Sequence, residues 1–152
     1  MYIRTVLSFV AVAFLLVAPA SASERSDAFA SVQQFVDALN KNDSPGMNGR
    51  VTTTLDIIDD LPPYHWFGPT ALQDWGRDVD AYMKGESATD PIVKLSRATY
   101  AGVVGTNAYF VVPAVYSYQH QHRRVQQNGI ITTTLRKTDQ GWLVTAFAWT
   151  RR

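Results

Sequence analysis

The sequence predicts an α+β domain with its helices on one face of a curved, antiparallel to mixed sheet. Three observations carry this. Two segments with apolar residues at helical spacing come first, long runs of period-two alternation come last, and no repeat or low-complexity linker divides them. The 152 residues leave room for one domain of ordinary size.

Residues 1–22 read as a signal peptide and are set apart from that domain. Arg4 supplies a positive start, Val6 to Ala18 is almost wholly apolar, and Ala18-Pro19-Ala20 and Ala20-Ser21-Ala22 are small-x-small cleavage patterns. The apolar run is short for a membrane span, so the domain over 23–152 is expected to be secreted or periplasmic, without a membrane partner after cleavage. Cys is absent, which excludes a lipoprotein anchor and a disulfide scaffold, so the fold must be held by its core.

In the first helix Phe29, Val32, Phe35, Val36 and Leu39 form the apolar stripe, with Ser26 as a cap and Asn42-Asp43-Ser44-Pro45-Gly46 as the stop. Next comes Ile57-Ile58-Asp59-Asp60-Leu61-Pro62-Pro63-Tyr64-His65-Trp66-Phe67-Gly68, a short acidic strand followed by a proline turn. Pro69 then stands where a second helix can begin, since a helix's first N–H groups have no partner to lose. Its stripe is Leu72, Trp75, Val79, Tyr82 and Met83, and Gly85 is its terminator.

The remainder is β. Ile92 to Val104 alternates loosely. From Ala108 to His122 one face carries Ala108, Phe110, Val112, Ala114, Tyr116 and Tyr118, and the other Tyr109, Val111, Pro113 and Val115. Pro113 is expected at a bulge or bend. Asn128-Gly129 reads as a turn, Ile130 to Lys137 as a strand, Thr138 to Gly141 as a turn, and Trp142 to Thr150 as the last strand. By parity Trp142 and Trp149 face opposite ways, which would put one of them on the outer surface or against a dimer partner.

The chain's formal charge of +1 hides an asymmetry. From Asp56 to Asp90 there are eight acids against Arg77 and Lys84, and from Pro91 onward eight bases against Asp139. The bases are scattered in pairs along strands without any binding motif, so no nucleic-acid partner is expected. No phosphate loop, nucleophile elbow or Cys nucleophile is present.

Two sets of residues can carry chemistry. Asp59 and Asp60 follow an apolar pair and precede aromatic residues. On a strand they face opposite ways, so at most one enters a pocket. Asp59 among Ile57, Trp66 and Phe67 would have its pKa raised by desolvation and become a usable acid or base; alternatively it accepts backbone N–H bonds in the Pro62-Pro63 turn. His120 and His122 share a strand face at a spacing that can ligate a metal, with His65 as a conceivable third. Arg123 and Arg124 beside them oppose a cation, so no metal site is expected. Trp66, Tyr82 and Tyr116 are expected to line a pocket for a flat apolar ligand, with Asp59 at its base.

The order helix, acidic strand, proline turn, helix and hairpins ending in Gly141-Trp142-Leu143-Val144-Thr145-Ala146-Phe147-Ala148-Trp149 resembles the nuclear transport factor 2-like superfamily, most closely its SnoaL-like and ketosteroid-isomerase-like branch. The resemblance covers the whole chain after the leader. It implies a cone, in which a strongly curved sheet wraps against N-terminal helices and encloses an apolar pocket, and it implies a homodimer. Asp59, nine residues before Gly68, matches the position of the isomerase's proton-shuttling aspartate. That chemistry also needs a tyrosine hydroxyl and a protonated second acid as oxyanion donors. The tyrosine position is occupied by Phe35, and the strand from Ile130 to Leu135 holds no acid, only the weaker hydroxyls of Thr132 and Thr134. Steroid isomerase activity is therefore not expected. The leading expectation is an exported domain that binds a small hydrophobic or aromatic molecule, without a cofactor, in a pocket lined by Phe35, Trp66, Tyr82, Tyr116 and Thr132. The alternatives are an isomerase, cyclase or dehydratase using Asp59 as general acid/base, and a protein-interaction module acting through its sheet face.

Overall fold

A computed structural model of the chain describes residues 22–152. The expected leader lies, except for Ala22, outside the described residues. Ten elements follow in the order α1 (Ala22–Asn40), α2 (Ser44–Asn48), β1 (Val51–Ile58), β2 (His65–Gly68), α3 (Ala71–Gly85), β3 (Ala88–Leu95), β4 (Tyr100–Val104), β5 (Asn107–His120), β6 (Arg123–Thr138) and β7 (Gly141–Arg151).

The seven strands form one sheet in the order β2-β1-β7-β6-β5-β3, with β4 also on β5. Every pairing is antiparallel except β1 with β7, so the sheet is mixed. Register shifts mark three places, in β1–β7, in β3–β5 and in β6–β7 between Thr134 and Leu135. Such irregularities bend a strand and increase its twist, which curves the long β5, β6 and β7 around the helices.

Helices α1 and α3 close the concave side. Phe29 packs on Phe110 with ring centroids 5.4 Å apart. Phe147 of β7 receives both helices, lying 5.5 Å from Phe35 and edge-on to Trp75 at 5.3 Å. Phe110, Leu55, Ile57, Leu135, Val112 and Val144 are the largest fully buried side chains. The buried Ser31 hydroxyl donates to the Trp142 carbonyl at 2.5 Å, tying α1 to the start of β7.

Several boundaries differ from the sequence reading. Helix α1 runs back through Ser26, which is therefore not its cap. The expected stop after Asn42 is itself helical over Ser44–Asn48, because the Asp43 side chain caps it by accepting from the Gly46 N–H at 3.0 Å. The proline segment is not a simple lead into a helix. Chain reversal there returns His65–Gly68 to pair with β1, and α3 begins after Thr70 rather than at Pro69.

The loose alternation after Ile92 is two strands, parted at residues 96–99. Pro113 lies opposite that gap, in continuous register with β6. Its carbonyl accepts from the Ser96 N–H at 2.8 Å, so its missing N–H points to the junction where β3 ends. Asn128-Gly129 is not a turn, since both residues sit inside β6. The β5–β6 reversal is the two-residue loop Gln121-His122, both with positive φ (47° and 64°), the combination that matches strand twist in a tight hairpin.

Candidate functional site

The concave sheet face, α1 and α3 enclose a cavity of about 1020 Å³. Tyr116, Ile131, Thr133, Val144, Phe147 and Trp149 contribute from the sheet. Val32, Phe35, Val36 and Leu39 of α1 face Leu72, Trp75, Val79 and Met83 of α3 across it. The helical stripes read from the sequence thus serve two purposes, core on one flank and cavity wall on the other.

Asp59 is a carboxyl on the lining. It follows the last residue of β1 and is held by the hairpin closure, its N–H reaching the Tyr64 carbonyl at 3.2 Å. Its Oδ2 accepts from the Trp75 indole N–H at 2.9 Å. The side chain is half-buried, and burial pushes its pKa above the ordinary aspartate value. The Trp75 bond and the Leu61 N–H work against that rise, while a hydrogen bond and like charge from Asp60 reinforce it.

Asp60 joins the same cavity, contrary to the strand argument that only one of the two acids can enter. That argument fails because β1 ends at Ile58, so both carboxylates lie in the turn, where strand parity no longer applies. Arg151, at the end of β7, places Nε and Nη2 each 2.8 Å from Asp60 Oδ2. The four groups form a chain, Arg151–Asp60–Asp59–Trp75, drawn from β7, the hairpin turn and α3.

Tyr116 is the phenol on the cavity's sheet wall. Its hydroxyl donates to Met83 Sδ at 3.2 Å, and a thioether is a weak acceptor. Burial first, and then the surrounding tyrosines and Asp59 and Asp60, push its pKa up to about 12. Trp149 meets its ring edge-on at 6.4 Å and Tyr118 packs beside it at 5.4 Å.

Of the residues singled out from sequence, Asp59, Phe35, Tyr82 and Tyr116 contribute to the cavity, with Tyr82 at the rim, 47% exposed. Trp66 and Thr132 do not. Trp66 is buried under the β1–β2 hairpin, and its indole donates to Asp78 Oδ2 at 2.9 Å. Thr132 pairs with Val111 and Ala148 on the outer face, and Thr133, opposite the buried Phe110, is the threonine that faces inward. The Thr133 hydroxyl is committed to the Ala146 carbonyl at 2.9 Å. His65 bonds Asp56 at 2.8 Å, away from His120 and His122 at the far hairpin, and no cluster of metal-ligating side chains occurs among the described residues.

Trp75, Trp149 and Arg151 escaped the sequence reading as site residues. Trp75 was visible as a member of the α3 stripe, but nothing in one sequence says that its N–H meets a carboxylate. Trp149 was hidden by an extra residue. Thr134 pairs with Ala146 and Leu135 with Val144, so Thr145 is a bulge. A bulge shifts parity by one, so Trp142 and Trp149 both face inward, and neither is left for the outer surface.

No family model matches the chain, and no curated protein matches it. Solved structures do. A nuclear transport factor 2-like superfamily protein from Salmonella enterica serovar Typhimurium shares 12% identity over 87% of this chain and 93% of its own, with a TM-score of 0.72. A candidate dehydratase of the nuclear transport factor 2-like family from Streptomyces avermitilis gives a TM-score of 0.68 at 12% identity, over 86% and 97%. A nuclear transport factor 2-like protein with a cystatin-like fold from Novosphingobium aromaticivorans gives 0.68 at 12%, over 84% and 80%. At such identities the likeness establishes the fold and not the chemistry.

Proposed function

Given a chain with the nuclear transport factor 2-like cone fold, we propose that it is an exported domain whose cavity binds a small hydrophobic or aromatic molecule. The observation that carries this reading is the cavity of about 1020 Å³, lined by apolar side chains from both helices and the sheet, with the carboxyls of Asp59 and Asp60 among its polar groups. Ligand sites commonly combine apolar walls with a few converging polar groups. Pairing of two copies across the outer sheet face belongs to the same reading. There Tyr100, Val104 and Tyr109 are 58%, 62% and 40% exposed, and the two tyrosine rings meet 5.7 Å apart.

Titration with Nile red, whose emission rises in apolar surroundings, tests the cavity. Saturable binding by the wild-type chain, abolished when Ile131→Trp fills the space, is the expected result. Absence of binding, or binding that Ile131→Trp leaves unchanged, would refute the reading.

A second reading, acid/base catalysis by Asp59, is favoured by its raised pKa beside another acid, the pattern of a carboxyl prepared for proton transfer. The usual oxyanion donors are missing, since Phe35 has no hydroxyl and Thr133 has spent its own on the backbone. Tyr116 is the hydroxyl free of a strong acceptor. Deuterium exchange at the α-carbon of 2-tetralone, followed by NMR, discriminates between the readings. Acceleration lost in Asp59→Asn supports the enzyme, and exchange at the solvent rate removes it.

A further inference from the structure

We propose that the ligand of this cavity is an organic cation, an apolar or aromatic molecule whose protonated amine sits at Asp59. This rests on the binding reading above and deepens it by naming the charge of the occupant.

The argument begins with what the walls can offer. Asn40 spends its amide on Val93, accepting from its N–H at 2.7 Å and donating to its carbonyl at 2.8 Å. Thr133 is likewise committed to the backbone. Of the groups left on the lining, Asp59 is a half-buried carboxyl, Tyr116 has only a thioether to donate to, and Asp60, Asp80 and Asp90 are exposed acids.

The compensating cations do not match them. Arg151 answers Asp60 alone. Arg77 lies 2.7 Å from Asp74 and 3.3 Å from Asp78, two acids of its own helix. Lys41, beyond the last turn of α1, is exposed.

Three kinds of occupant fare differently here. A neutral apolar ligand closing over Asp59 removes the carboxylate further from water without replacing its solvation. An anion adds repulsion to that cost. A protonated amine supplies both the missing charge and N–H donors, and charge-assisted hydrogen bonds are the stronger kind. The aromatic residues agree. Tyr82, Tyr116 and Trp149 share the lining with Asp59, the last two packed edge to face, and π faces attract cations. The acid-rich stretch from Asp56 to Asp90 contributes Asp59, Asp60, Asp80 and Asp90 to the lining, a sign of charge that draws cations in.

The test uses one ring system with three charges: 2-naphthylmethylamine, 2-naphthylmethanol and 2-naphthoate, measured by calorimetry at neutral pH. The amine is expected to bind at least about tenfold tighter than the alcohol, with naphthoate weakest. In Asp59→Asn the advantage of the amine over the alcohol should disappear while the alcohol keeps its affinity. If Asp59→Asn does not fold, Trp149→Leu serves in its place, and the amine should lose more than the alcohol as a π face is removed. An alcohol or naphthoate that binds as well as the amine overturns the charge assignment and leaves the cavity reading standing. Failure of all three naphthyl probes and of Nile red removes both.

Discussion

Gly129 offers the sharpest test of the geometry, because two readings of it predict opposite signs. As an open strand position with room for a side chain, Gly129→Ala should stabilise the fold by about 0.4–1 kcal/mol, through reduced freedom of the unfolded chain. The structure gives a different account. A Cβ at Gly129 would stand 2.7 Å from the Thr150 carbonyl oxygen and closer still to the Trp149 indole. The carbonyl belongs to the paired strand β7 and cannot swing away, so the clash has to be relieved by moving Trp149 or parting the strands. Overpacking of this kind costs about 1–3 kcal/mol. For a domain of this size each kcal/mol lowers the melting temperature by about 3–4 °C, which gives a fall of about 3–12 °C. Differential scanning calorimetry of Gly129→Ala measures it. Adding Trp149→Leu removes the indole half of the clash, so the double variant should cost less than the sum of the two singles. A melting temperature equal to or above wild type would refute the packing of Trp149 over Gly129, and with it the inward placement of Trp149.

Two further predictions concern the acidic end. Below the unfolded pKa of an aspartate, Asp59 is protonated in both states and costs nothing. As the pH rises above it the unfolded chain ionises first, because burial holds the folded pKa higher, and stability is lost until the folded pKa is passed. Asp59→Asn keeps an acceptor for Trp75 and gains a donor for Asp60, so its melting temperature should exceed wild type at neutral pH and converge with it in strong acid; a lower value at neutral pH would make the carboxylate a structural acceptor instead. Tyr116→Phe removes only a bond to sulfur, so its stability should change by less than about 1 kcal/mol, while spectrophotometric titration loses the phenol that ionises near pH 12. Persistence of that late step would place the buried phenol elsewhere.

The sequence by itself determined the architecture and part of the site. The stripes of α1 and α3, the alternation of β5 and the closing hairpin follow from local periodicity, and local periodicity survives folding because it reports which face is buried. Asp59 was legible for the same reason, as an acid directly after an apolar strand and before aromatic residues. Tertiary structure decided which neighbours it has. A Gln-His pair with positive φ is a turn that composition does not announce, so the reversal was assigned to Asn128-Gly129, where glycine in fact makes room for an indole. One bulge at Thr145 turned Trp142 and Trp149 to the same inner side, where parity had put one of them outside, and the early end of β1 brought Asp60 in beside Asp59. The bulge at Thr145 is a shift of one residue. In a β-sheet such a shift exchanges inside for outside, and only the pairing partner, distant in sequence, fixes it.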